Sequence, residues 1–165
     1  MTKGRYSAGR YLRKSSKVIT MIVKEIWTEL DYDQMGWHDS YIHAIVFPLE
    51  KFRFILDIDY IFQWELNPES QSYNFWVAPC ELTFQNIYNL SVNIDFKNHI
   101  GLEILDISRP SCRDTGKAIM WSYKIECSQG QIEFEAMGYT QRIKSQPVLS
   151  ESQVILRDYD LNGSI

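Results

Sequence analysis

After residue 40 the chain alternates apolar and polar positions with a period of two, the spacing of strands buried on one face. The clearest run is 52–65. Phe54, Leu56, Ile58, Tyr60, Phe62 and Trp64 share one face, and Arg53, Asp57, Asp59, Gln63 and Glu65 share the other with Ile55 and Ile61. A strand over 41–47 precedes it across a Pro48-Leu49-Glu50-Lys51 turn. Further strands are predicted over 74–84, 90–96, 102–108, 118–127 and 132–139, with 148–156 as a last strand or a short helix. Pro79 removes a ladder donor from the 74–84 strand and marks an edge position or a bulge. Gln85-Asn86 and Ser128-Gln129-Gly130 read as turns, while Arg109-Pro110-Ser111 and Asp114-Thr115-Gly116 break the pattern.

Only the stretch 21–33 departs from this period. Ile22, Ile26, Trp27 and Leu30 fall at helical spacing opposite Lys24, Glu25 and Glu29, so one short N-terminal helix is expected. Residues 1–20 show neither period and read as a flexible basic leader, and 158–165 as a polar tail. Met21 is an alternative translation start. The expected fold is mostly β: an antiparallel β-sandwich or open barrel of about eight or nine strands, formed as one domain over 21–157.

Composition supports a folded chain, with 165 residues, 45% apolar and 14% aromatic. The net charge of −4 conceals an asymmetry. Lys3, Arg5, Arg10, Arg13, Lys14 and Lys17 have no acid among them, and without these six cations the remainder stands at −10. Such a body repels phosphate backbones, so nucleic acid is not an expected partner. Cys80, Cys112 and Cys127 show no paired metal-ligand spacing and are expected to be buried free thiols in a reducing, cytoplasmic compartment. No run reaches the ~20 apolar residues of a membrane-spanning helix, so no membrane partner is expected. The six apolar residues after the basic start lack the cleavage site of a signal peptide.

The first hairpin gathers the candidate chemistry. Pairing Phe47 with Arg53 sets Ile42, Ala44 and Val46 against Ile58, Leu56 and Phe54, places His43 opposite Asp57 and Tyr41 opposite Asp59, and leaves Asp39 diagonal to Asp59, roughly 7–8 Å away. Trp37, His38, Asp39, Tyr41, His43, Asp57 and Asp59 are therefore the candidate binding residues. Such a patch suits a hard divalent cation with an imidazole ligand, a general acid and base, a partner's Arg or Lys, or a purely structural hydrogen-bond set. His99 falls in a turn and is expected to be silent. Trp64, Trp76, Trp121, Tyr60 and Tyr123 are assigned to the core, the other reading being an exposed aromatic groove rimmed by Pro79-Cys80 beside Trp76. The chain has no HExxH, GxSxG or Gly-rich phosphate loop, so no catalytic residue and no cofactor is assigned.

Met35-Gly36-Trp37-His38-Asp39-Ser40, Leu56-Asp57-Ile58-Asp59-Tyr60-Ile61 and Trp76-Val77-Ala78-Pro79-Cys80-Glu81-Leu82-Thr83-Phe84 resemble a group of small bacterial proteins related to predicted immunity proteins of polymorphic toxin systems. The resemblance covers roughly 25–140. It implies a small cytoplasmic protein with no established activity and assigns no catalytic residue. The resulting expectation is a non-enzymatic module that binds another protein, with an immunity-like role. A small metal-dependent hydrolase or metal-binding protein built on Asp39, His43, Asp57 and Asp59 is the alternative.

Overall fold

The computed structural model describes residues 21, 23–48, 52–97 and 100–157. The expected leader and tail, His99 and part of the first hairpin's turn lie outside the described residues. Ten strands are present: β1 (Ile26–Thr28), β2 (Ser40–Val46), β3 (Arg53–Leu66), β4 (Tyr73–Gln85), β5 (Tyr88–Ile94), β6 (Glu103–Asp114), β7 (Ile119–Cys127), β8 (Gly130–Ala136), β9 (Gly138–Ile143) and β10 (Val148–Ser150). Every ladder is antiparallel, and all ten strands belong to one open sheet ordered β1-β9-β4-β3-β2-β6-β7-β8-β5, with β10 also on β4.

Among the described residues two ladder pairs, Ser40 with Ile104 and Tyr41 with Glu103, join the β1-to-β2 half of this sheet to the β6-to-β5 half. The halves turn their apolar faces toward each other. Phe84 of β4 lies 4.7 Å from Phe134 of β8 and 5.0 Å from Tyr123 of β7, and Phe54 of β3 lies 5.3 Å from Phe134, all edge-on. One hydrophobic cluster fills the space between, drawing Leu56, Ile58, Leu82, Ile104, Ile125 and Ile132 from both halves. The mostly β expectation holds, realised as a single folded-over sheet.

Several local expectations change, each for a tertiary reason. The stretch 21–33 is not one α-helix: β1 pairs with the outer edge of β9, and a 3-10 helix (Glu29–Gln34) follows. Edge pairing outweighs a weak helical stripe whose Leu30 is 94% exposed. Pro79 does not lie on an edge strand. It stands where the outer neighbour of β4 changes from β9, which ends at Cys80 opposite Ile143, to β10, which begins at Val77 opposite Val148. The Pro79 carbonyl accepts from Lys144 N at 2.8 Å in that gap, on the side where its missing N–H would have pointed. Arg109-Pro110-Ser111 does not end β6 but forms a bulge between Ser108 and Ser111. The run 132–139 divides at Met137, where Gly138 at φ 157° lets the chain cross from β8 to β9 on the other half. Cys80 and Cys127 are buried as expected, but Cys112, on the distal end of β6, is exposed.

Candidate functional site

Two bulges in the first hairpin arm set the geometry of its outer face, the one turned away from the core. The first lies in β2. Tyr41 pairs with Asp59 and Ile42 with Ile58, as the alternation predicts, but the next pair is Ala44 with Asp57. His43 is the extra residue, so it does not face Asp57. Its Nε2 instead lies 2.8 Å from Asp59 Oδ2, the two side chains being 3% and 0% exposed. The slip also corrects the expected inward set: Ile45, not Ala44 or Val46, packs against the core.

The second bulge lies between Ile61 and Gln63 of β3. Alternation places Trp64 on the core face with Phe62. The inserted residue reverses that parity, so Trp64 pairs with Phe75 on the outer face, followed by Leu66 with Tyr73. Trp64, Leu66 and Tyr73 are 45%, 51% and 50% exposed, with the Trp64 ring 5.9 Å from Tyr73 and 5.5 Å from Phe75. Trp76 lies on the opposite face and is buried, its Nε1 donating to Glu65 Oε2 at 3.0 Å, so the exposed aromatics are not those of the expected rim. Tyr60 and Tyr123 are buried and Trp121 is half-buried against the core, as expected.

Between the aromatic tip and the turn of the arm, the outer face is crossed by the irregular segment 151–157, which we call the strap. Its Ile155 N–H donates to Asp59 Oδ2 at 2.6 Å. One Arg157 guanidinium nitrogen stands 2.8 Å from Asp59 Oδ1 and 3.2 Å from Asp57 Oδ1, and Lys144 Nζ reaches Asp57 Oδ1 at 2.9 Å. Two carboxylates thus meet two cations and an imidazole in one set of ion pairs and hydrogen bonds. Burial works against the Arg157 charge, but Asp59 and Asp57 outweigh it and hold the guanidinium above its ordinary proton affinity. Beneath them burial, reinforced by the negative charge of Asp59, pushes the Cys80 thiol up to about 12.

Of the seven expected site residues, Tyr41, His43, Asp57 and Asp59 come together here, with the Tyr41 ring 4.9 Å from that of His43. Asp39 lies at the margin, held by His38 Nδ1 at 2.7 Å and by Gln153 Nε2 of the strap at 3.5 Å, while His38 itself is largely exposed. Trp37 is not part of the patch. It is buried on the core side, its Nε1 donating to Gln141 Oε1 at 2.8 Å and its ring edge-on to Tyr139. Lys144, Gln153, Ile155 and Arg157 were not legible, since each meets the site from about a hundred residues away. Among the described residues no group of three His, Cys, Asp or Glu side chains is placed to hold a metal ion.

A second charged cluster, also unforeseen, sits on the core side. Arg109, on the β6 bulge, lies with its guanidinium carbon 3.5 Å from the centre of the Tyr32 ring and 4.3 Å from that of Trp121. It pairs with Glu29 of the 3-10 helix, whose other carboxylate oxygen accepts from Tyr123 OH at 2.7 Å. Tyr32 OH donates to the Ile107 carbonyl at 2.8 Å, completing a latch that holds the 3-10 helix to β6 and β7.

No family model, curated protein or solved structure matches the chain. Among the described residues no helix is long and apolar enough to cross a membrane.

Proposed function

We propose that this protein is a non-enzymatic module that binds another protein through the outer face of the β3–β4 arm. The observation that carries this reading is the cluster of Trp64, Leu66 and Tyr73, half-exposed side by side at the arm's tip although the protein has a core that accommodates large aromatics. Trp and Tyr with one face free are the residues that dominate interface energies. From 54 to 85 the arm carries Glu65, Glu69 and Glu81 besides the paired Asp57 and Asp59, and no Lys or Arg, so it suits a partner surface rich in Arg and Lys. Neutralising a basic toxin, the immunity-like role implied by the sequence resemblance, is one form of that activity. A cytoplasmic location agrees with the free thiols. The hydrolase alternative draws less support, because Asp57 and Asp59 already face Arg157 and Lys144.

The test is affinity capture from an extract of the source organism with the wild-type chain and with Trp64→Ser/Tyr73→Ser. A stoichiometric protein partner retained by the first and lost by the second, with both chains folded, is the expected result. Equal capture by both overturns the assignment to the arm.

A further inference from the structure

Arg157 is the deepest contact of the strap and its most informative one. A guanidinium on two carboxylates backed by an imidazole is a recognition geometry in its own right, since the acceptors are fixed by strand ladders on β2 and β3 and by the β2 bulge, independently of the strap. What fills this position is an irregular segment with no ladder partners between Glu151 and Arg157. The strap also lies on the same face as the exposed aromatic tip. Asp57, Asp59, Ile61, Trp64 and Leu66 follow one another along the outer face of β3, and Ile61 is buried where Trp64 is open.

We propose that Asp57, Asp59 and His43 form a socket for one arginine of an extended protein segment, that Arg157 occupies it in cis, and that a partner's arginine-bearing segment replaces the strap when it docks on the arm. This rests on the protein-binding reading above and adds the chemistry that the partner presents. The strap itself shows the recognised pattern: a backbone N–H that reaches Asp59, with an arginine two residues further on. Tethering gives Arg157 an effective concentration in the mM range, so a free arginine does not displace it. A segment that covers Trp64, Leu66 and Tyr73 as well brings contacts the strap does not make, and exchanges with it.

The socket is tested in the full chain carrying Arg157→Ala. Ethylguanidinium at mM concentration is expected to raise the melting temperature of this variant and leave the wild type unchanged, while ethylammonium gives no rise. A labelled peptide with the sequence of residues 151–157 is expected to bind the variant at least tenfold more tightly than the same peptide with its arginine replaced by alanine. No response to ethylguanidinium, an equal response to ethylammonium, or a peptide affinity indifferent to its arginine overturns the proposal. Should Arg157→Ala fail to fold, Arg157→Gln, which keeps part of the stem but no charge, takes its place in the same comparisons. A wild-type chain that dimerises at µM concentration by exchanging straps would replace the partner by a second copy. None of these readouts involves Trp64, so the socket and the arm fail separately.

Discussion

The protein pairs a partly buried arginine with carboxylates in two places, and the two are built differently. In the core-side latch, Arg109 is carried by a strand in the middle of the sheet and lies against Tyr32 and Trp121, while Tyr123 fixes the Glu29 carboxylate that it meets. In the outer socket the carboxylates are equally well fixed, but the arginine arrives on a strap without ladder partners. The same ion pair is therefore structural in one place and exchangeable in the other. Opening the latch requires the 3-10 helix and the packed aromatics to separate, whereas lifting the strap is a local event that leaves every ladder of the sheet intact.

Substitutions can break or sharpen this contrast. The largest effect is expected for Arg109→Ala, which leaves Glu29 half-enclosed without its cation. Losing one partner of such a pair costs about 3–5 kcal/mol, read as a lower urea midpoint. Arg157→Ala is expected to cost less, about 1–3 kcal/mol, because the freed strap admits water to Asp59. If Arg157→Ala proves as costly as Arg109→Ala, the contrast fails. Tyr123→Phe removes one hydrogen bond to Glu29 and is expected to cost about 1.5 kcal/mol. Trp64→Ser is expected to cost the least, about 1 kcal/mol, since only the contacts of a half-exposed ring with Phe75 and Tyr73 are lost.

A pH series probes the packing beneath the socket. Burial raises the Cys80 thiol to about 12 and the Cys127 thiol to about 11, so the folded state holds both protonated. Their contribution is complete below the ordinary thiol value of about 8.5 and is lost as pH climbs through the folded values. Urea midpoints should accordingly fall from pH 8.5 to 10.5, and fall less in Cys80→Ala. At pH 8 a disulfide reagent should label only Cys112 in the native protein and all three cysteines in denaturant.

Alternation made most strands legible, because a one-sided sheet must repeat every two residues. It also placed Tyr41 opposite Asp59 and Ile42 opposite Ile58. What it missed follows from single inserted residues. The extra residue at His43 redirects the imidazole from Asp57 to Asp59, and the bulge before Gln63 sends Trp64 outward, yet neither carries a Gly or Pro to announce it. At Pro110 the reverse occurred, a breaker residue absorbed by a bulge within a continuing strand. The cations that complete both clusters were out of reach for another reason. Nothing near Arg109 or Arg157 in sequence points to Glu29 or Asp59, and long-range pairing of this kind leaves no local period.

The separability of the strap is tested most directly by native-state hydrogen exchange of the Ile155 amide, which donates to Asp59, against the Asp39 amide, which donates to the Ile104 carbonyl where the two halves of the sheet join. Ile155 is expected to exchange through a local opening far below the global unfolding free energy and unaffected by low urea, while Asp39 exchanges only with much larger opening. Equal protection at the two sites, with the same urea dependence, would contradict it.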